Sequence, residues 1–173
     1  MKQQWNIRVI SYLAILTAIG VALLYVQPVR LWNVRVSFSF IPVSTAGILF
    51  GPAGSAAVSV LLDLLGAILV PSGAFFPGYT LTALLNGLIW GLCLHKSRTL
   101  PRVALAVLAN QILCTLLLNT FWISLLNGVP FRAQFLLRLV QSAITAPIQF
   151  CVVGFVLLPF LRRFASRLLP RHR

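Results

Sequence analysis

Six long apolar runs divide this chain, and they constrain its fold more than any other feature. The runs are 7–26, 38–50, 53–70, 79–94, 103–126 and 138–160. A helix that crosses a membrane needs about 20 apolar residues, and fewer where neighbouring helices cover it. Hydrophobic residues make up 60% of the chain and charged residues only 9%, which is too little polar surface for a water-soluble domain. The sequence therefore predicts one all-α membrane domain over 1–173, with six transmembrane helices.

Basic residues between the runs predict how these helices are oriented. After six crossings, the side that holds both termini would carry Lys2, Arg8, Lys96, Arg98, Arg102, Arg162, Arg163, Arg167, Arg171 and Arg173. The opposite side would carry Arg30, Arg35, Arg132 and Arg138. Because cytoplasmic loops are enriched in Lys and Arg, both termini are expected in the cytoplasm of a multi-pass cell-membrane protein. The first run is expected to be a retained helix rather than a cleaved signal peptide.

Composition also excludes several kinds of function. Asp63 is the only acidic residue, which excludes catalysis by a pair of carboxylates. The three cysteines lie singly in apolar runs and the two histidines lie in basic segments, so we expect no metal site and no cofactor. The basic residues are distributed between apolar runs rather than along one face, which argues against nucleic-acid binding.

Polar residues recur at helical spacing on four of the runs. Spacings of three or four place residues on one face of a helix. The stripes are Ser55, Ser59, Asp63 and Gly66; Tyr79, Thr82 and Asn86; Thr115, Asn119 and Trp122; and Arg138, Ser142, Thr145 and Gln149. Counted from the outer loops, many polar residues fall in the outer half of the membrane, which predicts a pocket open to the outside. Interhelical hydrogen bonding is the alternative role for each Ser, Thr or Asn.

Charged and aromatic residues sharpen this hypothesis. Asp63 lies about 10 Å below the outer end of its helix, where a carboxylate requires a partner. That partner is either an arginine, Arg35 or Arg138, or a bound solute. Arginines on the less positive side suit capture of an anion. Six aromatic residues lie at similar depth: Phe38, Phe40, Phe75, Phe76, Tyr79 and Trp122. They are suited to binding a flat ring of a solute between them or, alternatively, to forming an aromatic belt at the membrane interface.

Small residues form a separate face on the first run. Ala14, Ala18 and Ala22 recur at every fourth position. Such a face lets another helix approach closely, either within the bundle or from a partner protein.

Several stretches resemble a known family. They are Arg35 to Pro42, Ala46 to Pro52, Asp63 to Gly66 and Pro71 to Thr82. The chain resembles the substrate-binding S component of energy-coupling factor (ECF) vitamin transporters, most closely the folate-specific branch. The resemblance implies a six-helix fold that binds a vitamin from outside, with Ala14 and Ala18 docking on a transmembrane coupling subunit. Two cytoplasmic ATPases would supply energy, since this chain has no Gly-x4-Gly-Lys-Ser/Thr motif and is not expected to be an enzyme.

The expected ligand is folate, with Asp63 accepting two hydrogen bonds from the pterin and outer arginines holding the glutamate carboxylates. The alternatives are another vitamin, such as pantothenate or riboflavin, a small lipid-modifying membrane enzyme, or a channel. The residues expected to bind the substrate are Arg35, Ser37, Phe38, Asp63, Phe75, Phe76, Tyr79, Thr80, Asn119, Trp122, Arg132, Arg138 and Gln141.

Overall fold

Helices account for nearly all of the computed structural model, which describes residues 7–25, 30–31, 34–35, 38–69, 76–95, 99–128 and 130–161. The elements are α1 (Ile7–Tyr25), β1 (Arg30–Leu31), β2 (Val34–Arg35), α2 (Phe40–Leu69), α3 (Pro77–His95), α4 (Leu100–Ala109), a π-helical segment (Asn110–Asn119), α5 (Thr120–Asn127), α6 (Phe131–Cys151) and a second π-helical segment (Val152–Leu157). Five stretches of helix in the described residues are long and apolar enough to cross a membrane: 7–24, 40–69, 77–95, 100–126 and 131–161.

Helix α2 folds back on itself at Gly51. Gly51 has φ 74° and ψ −165°, a left-handed conformation that glycine adopts without strain, and Pro52 then suits the first turn of a new helical arm. The Ser55 hydroxyl donates to the Val43 carbonyl at 2.9 Å. Because residues twelve apart in a continuous helix lie about 18 Å apart, the arms 40–50 and 52–69 must pack against each other. The sequence places the boundary between its second and third apolar runs at this point.

Helix α1 packs along both arms of α2. The rings of Tyr12 and Phe50 stack with centroids 6.2 Å apart. Gly20 lies against the side chains of Pro42 and Leu62. Helix α1 therefore runs antiparallel to the first arm, since Tyr12 meets its end and Gly20 meets its beginning.

Helix α3 packs backbone to backbone against α2. A Cβ atom at Gly87 would lie 2.6 Å from the Ala56 Cα, and one at Gly91 would lie 2.6 Å from the Pro52 nitrogen. Further along, Thr80 is hydrogen-bonded to Asp63. Residues later in α3 contact residues earlier in α2, so α3 runs antiparallel to the second arm.

The second half of the bundle is another antiparallel pair. Gln111, at the start of the first π segment, donates to Thr145 of α6, and the Leu100 side chain lies against Gly154. Gly51 contacts His95, so the N-terminal part of α1, the reversal, the start of α4 and the end of α6 all lie at one end of the bundle. We call this the Gly51 end and the opposite one the Trp122 end.

Most of the fully buried apolar side chains lie toward the Gly51 end. They include Trp90 at 1% exposure, with Ile48, Leu94, Val103 and Val153 at 0%. Tightly packed apolar interiors are rigid. The Trp122 end is lined instead by half-buried polar and aromatic residues, which places the candidate site there.

Three local expectations need correction. The sequence places residues 95–102 between the fourth and fifth apolar runs, but α4 starts at Leu100, because Pro101 fits a first helical turn where its missing N–H is not needed. The sixth run was expected to start at Arg138, but α6 starts at Phe131 directly after Pro130, since an arginine that faces the interior does not end a helix. The hairpin β1–β2, which pairs Arg30 with Arg35, was not predicted from so short a polar segment.

The close contact between α2 and α3 predicts which glycines the fold requires. Gly87→Val and Gly91→Val should lower the melting temperature of the purified protein sharply, because the new side chains would meet backbone that cannot give way. Overpacking of this kind costs about 1–3 kcal/mol or more. Gly66→Ala is the matched control, since its Cβ would meet only the flexible Leu24 side chain at 3.1 Å. Equal melting temperatures for all three variants would contradict this account.

Candidate functional site

An aromatic cluster closes the Trp122 end between α3 and α5. The Trp122 indole N–H donates to the Thr82 hydroxyl at 3.2 Å, and Thr82 donates to the Gly78 carbonyl at 3.0 Å. The Phe76 ring lies 5.2 Å from the Trp122 ring and 6.2 Å from the Tyr79 ring. A Cβ atom at Gly78 would lie 2.7 Å from the Trp122 ring, so the absence of a side chain there lets the indole approach α3 closely.

Arg138 brings positive charge to this cluster from α6. Its side chain is half-buried and interacts electrostatically with Tyr79. The Arg138 Nε atom is buried and has no hydrogen-bond partner in the described part of the chain. A half-buried guanidinium that keeps a buried, unused N–H donor and interacts with Tyr79 is suited to binding an anionic group.

Asp63 lies on a different side of α3. Its Oδ2 atom accepts a hydrogen bond from the Thr80 hydroxyl at 2.7 Å. Thr80 and Thr82 point to nearly opposite sides of α3, because two residues turn a helix by about 200°. The Asp63–Thr80 pair therefore joins α3 to the second arm of α2, whereas Thr82 and Trp122 join α3 to α5.

A layer of uncharged polar side chains lies farther from the Trp122 end. The Gln111 amide donates to the Thr145 hydroxyl at 3.0 Å and to the Gln149 side-chain oxygen at 3.2 Å. Thr145 in turn donates to the Gln141 carbonyl at 2.9 Å. Asn86 lies one turn beyond Thr82 on α3, and Ser142 lies one turn before Thr145 on α6. We call Asn86, Gln111, Ser142, Thr145 and Gln149 the amide layer.

The structure brings together only part of the set predicted from sequence. Phe76, Tyr79, Trp122 and Arg138 form one cluster, and Gln141 lies on α6 one turn beyond Arg138. Asp63 and Thr80 form a separate pair. The remaining predicted residues with described side chains are placed as follows: Phe38 beside Phe40, Asn119 half-buried at the end of the first π segment, Arg132 exposed on the first turn of α6, and Ala14 and Ala18 exposed on α1.

Three predicted residues have side chains outside the described part of the chain. Ser37 and Phe75 lie outside it altogether, and only the backbone of Arg35, in β2, is described.

A shallow cavity of about 290 Å³ lies on the surface of α6 at the Trp122 end. Its lining consists of Phe131, Arg132, Phe135 and Leu136. It is apolar apart from Arg132 and does not include Arg138. Within the described residues, no group of three His, Cys, Asp or Glu side chains is arranged to hold a metal ion.

Sequence reasoning missed Gln111 and its neighbour Asn110, which are both buried. The signal was present as two adjacent amides in the middle of an apolar run, since polar side chains at membrane depth usually have a bonding or functional role. Gln111 also lies four residues before Thr115, so α-helical spacing extends the stripe of the fifth run to it, although the segment 110–119 is wound as a π helix.

Comparison with known proteins identifies the family. The model of the family "ECF transporter, substrate-specific component" matches residues 11–160. The chain is 33% identical over 149 residues to a folate transporter, FolT, from Clostridium novyi (strain NT), covering 86% of this chain and 87% of that one. It is 31% identical over 130 residues to FolT from Leuconostoc mesenteroides subsp. mesenteroides, covering 71% and 70%.

Solved structures agree with this result. A crystal structure of FolT bound with folic acid matches with a TM-score of 0.80 and 32% identity, covering 90% of this chain and 95% of that one. The S component for biotin from an ECF-type ABC transporter matches at a TM-score of 0.68 and 19% identity, covering 94% and 95%, and supports the fold alone. The chain therefore belongs to the family of substrate-specific components of ECF transporters.

Proposed function

We propose that this chain is a folate-binding S component, which captures folate outside the cell and delivers it through an ATP-driven coupling module. The relationship to folate transporters extends over most of the chain. The observation that carries the proposal is the half-buried Arg138, whose buried Nε–H donor is unused, next to the aromatic cluster, because folate combines flat rings with glutamate carboxylates. The family is one of transport components rather than enzymes.

The proposed topology has six crossings with both termini in the cytoplasm. Five stretches of helix have the length and composition of membrane spans, and the fold-back of α2 at Gly51 makes two antiparallel arms from one of them. Ile7, His95 and Leu161 lie at the Gly51 end, and in the sequence the basic segments are adjacent to His95 and Leu161. The positive-inside rule then places the Trp122 end, and the site, outside.

The proposed partners are a transmembrane coupling subunit and two cytoplasmic ATPases, since this chain has no phosphate-binding Gly-x4-Gly-Lys-Ser/Thr motif of its own. No cofactor is proposed for this chain, and its remaining environment is the lipid bilayer. Ala14 and Ala18 are exposed in the middle part of α1, where a partner helix would find a narrow, flat face.

The ligand is identified most directly from the protein itself. Protein purified from cells grown with mixed vitamins should carry a compound with a pterin absorbance spectrum, identifiable by its mass. A flavin spectrum or a pantothenate mass in its place would overturn the folate assignment while leaving the family unchanged.

The docking proposal predicts a separation of binding from uptake. Ala14→Trp and Ala18→Trp should abolish vitamin uptake by the complete transporter but leave ligand binding intact, because the indole blocks a close helix contact away from the site. Leu105→Trp is the control, since residue 105 is 59% exposed on another helix. If uptake continues in both alanine variants, this face is not the docking surface.

If an arginine binds the glutamate carboxylates of folate, Arg138 should contribute more to folate affinity than Arg132. Arg138→Gln should weaken folic acid binding by roughly ten- to a hundredfold, since a charge-assisted hydrogen bond is worth ~1.5–3 kcal/mol. Arg132→Gln is the matched control, because Arg132 is exposed. Arg35→Gln tests the residue favoured by the family resemblance. Titration calorimetry that gives parental affinity for all three variants would exclude arginine recognition of the carboxylates.

The position of Asp63 predicts an interhelical role. Asp63→Asn keeps an acceptor for Thr80 and should change folic acid affinity and melting temperature little. Thr80→Val leaves the carboxylate without its partner and should destabilise the protein by about 1–3 kcal/mol. A large loss of affinity in Asp63→Asn at an unchanged melting temperature would show instead that the carboxylate binds the pterin, as the sequence analysis expected.

A further inference from the structure

The cavity on the surface of α6 has a charged end and apolar walls. Phe131 and Phe135 are one helical turn apart, and their rings stack with centroids 5.9 Å apart. Arg132 and Leu136 form the neighbouring row, also one turn apart. These four residues line the cavity of about 290 Å³, which we call the α6 groove. The groove is therefore a short apolar channel with one guanidinium near the start of the helix.

An apolar strip continues from the α6 groove along the helix. The two rows continue as Leu139 and Val140 and then as Ile144, and all three side chains are exposed. Arg132 and Ile144 are separated by about 18 Å along the helix axis. One leaflet of the hydrocarbon core of a bilayer is about 15 Å thick. The groove and the strip together have the length of an acyl chain in a single leaflet.

The charge of Arg132 calls for a partner from outside the chain. Asp63 is the only acidic side chain in the sequence, and its carboxylate accepts a hydrogen bond from Thr80 on α3. The Arg132 side chain is exposed, and the first turn of α6 contains no acidic residue. The N-terminal end of a helix dipole adds to the positive potential there. The electrostatic complement of this end of the groove is an anion.

The α6 groove does not face the aromatic cluster. Arg138 follows Arg132 by six residues, which turn a helix by about 240°, so the two arginines lie about 120° apart around α6. A solute held by Arg138 beside Tyr79 would leave the groove empty. The groove lies on the surface of a bundle in which five helical stretches of the described chain are long and apolar enough to cross a membrane. An occupant of the groove is therefore in contact with the bilayer.

We propose that the α6 groove binds one anionic phospholipid from the leaflet at the Trp122 end. The lipid phosphate pairs with the Arg132 guanidinium, which suits bidentate binding of phosphate, and one acyl chain lies against Phe135 and Leu136. A zwitterionic phospholipid offers the same phosphate but carries a compensating ammonium, so the arginine favours the anionic lipid. This inference needs only a membrane location and does not rest on the folate function.

Photocrosslinking can locate the lipid. The full chain is reconstituted in phosphatidylcholine vesicles with a small, non-saturating fraction of phosphatidylglycerol that carries a diazirine in one acyl chain. Labelled peptides are then identified by mass spectrometry. Residues 131–144 should be labelled more by this probe than by phosphatidylcholine that carries the same diazirine at the same fraction.

The contribution of the charge is tested with two arginines. Arg132→Gln should lower phosphatidylglycerol labelling of residues 131–144 roughly fivefold, which is the contribution of one basic residue near an anionic membrane surface. Arg102→Gln is the matched control, because it removes the same charge from an exposed arginine toward the Gly51 end. An equal loss in both variants would show that net charge, rather than the groove, attracts the lipid.

The contribution of the apolar walls is tested by filling the groove. Leu136→Trp should lower phosphatidylglycerol labelling severalfold although Arg132 is retained, because the indole occupies the space of the acyl chain. Leu137→Trp is the matched control, since Leu137 is 52% exposed but does not line the groove. Both variants replace exposed side chains and should melt at the parental temperature. Parental labelling of Leu136→Trp would overturn the proposal.

The remaining results are equally decisive. Equal labelling by the two probes that is unchanged in Arg132→Gln would show an ordinary bilayer contact and overturn the proposal. Crosslinks from residues 131–144 to a second copy of the chain, in place of lipid, would show a self-association face instead. Excess folic acid should leave the labelling unchanged, and loss of labelling would assign the groove to the vitamin site. A protein that binds no folic acid but keeps the labelling pattern would overturn only the folate function.

Discussion

The close backbone contact between α3 and the reversal of α2 is the constraint on which the rest of the bundle depends. Gly91 lies against the backbone of Pro52, and Gly87 lies against that of Ala56. Within a membrane, helices gain little from hiding apolar surface from each other, so close van der Waals packing has to hold them. Small residues at the crossing permit this packing and fix the position of α3. Helix α3 in turn carries Thr80, which bonds to Asp63, and Thr82, which bonds to Trp122.

The distribution of packing along the bundle explains where the site lies. At the Gly51 end, Trp90 and Ile48 are almost completely enclosed. At the Trp122 end, the interior contains aromatic rings, the Trp122–Thr82 hydrogen bond and the Arg138 guanidinium. The Arg138 Nε atom there has no hydrogen-bond partner in the described part of the chain. A rigid end positions the faces of α3 and α6, while the less densely packed end provides the surface that a solute can contact.

Much of the architecture follows from the sequence, because its signals are long or strong. The apolar runs predict the helices, and Gly51-Pro52 predicts the boundary inside α2. The site was harder to predict. Membrane depth alone grouped Asp63 with Trp122, but depth does not specify the side of α3 on which a residue lies. Gln111 was missed although it lies four residues before Thr115, because only residues near the outer loops were considered for the pocket.

The uncharged amide layer also bears on how binding affects stability. Its unpartnered atoms are a cost to the folded protein that any hydrogen-bonding partner would remove. A ligand that binds only the folded state stabilises it in proportion to its affinity and concentration. Neutral amides avoid the larger cost of burying a second charge near Arg138.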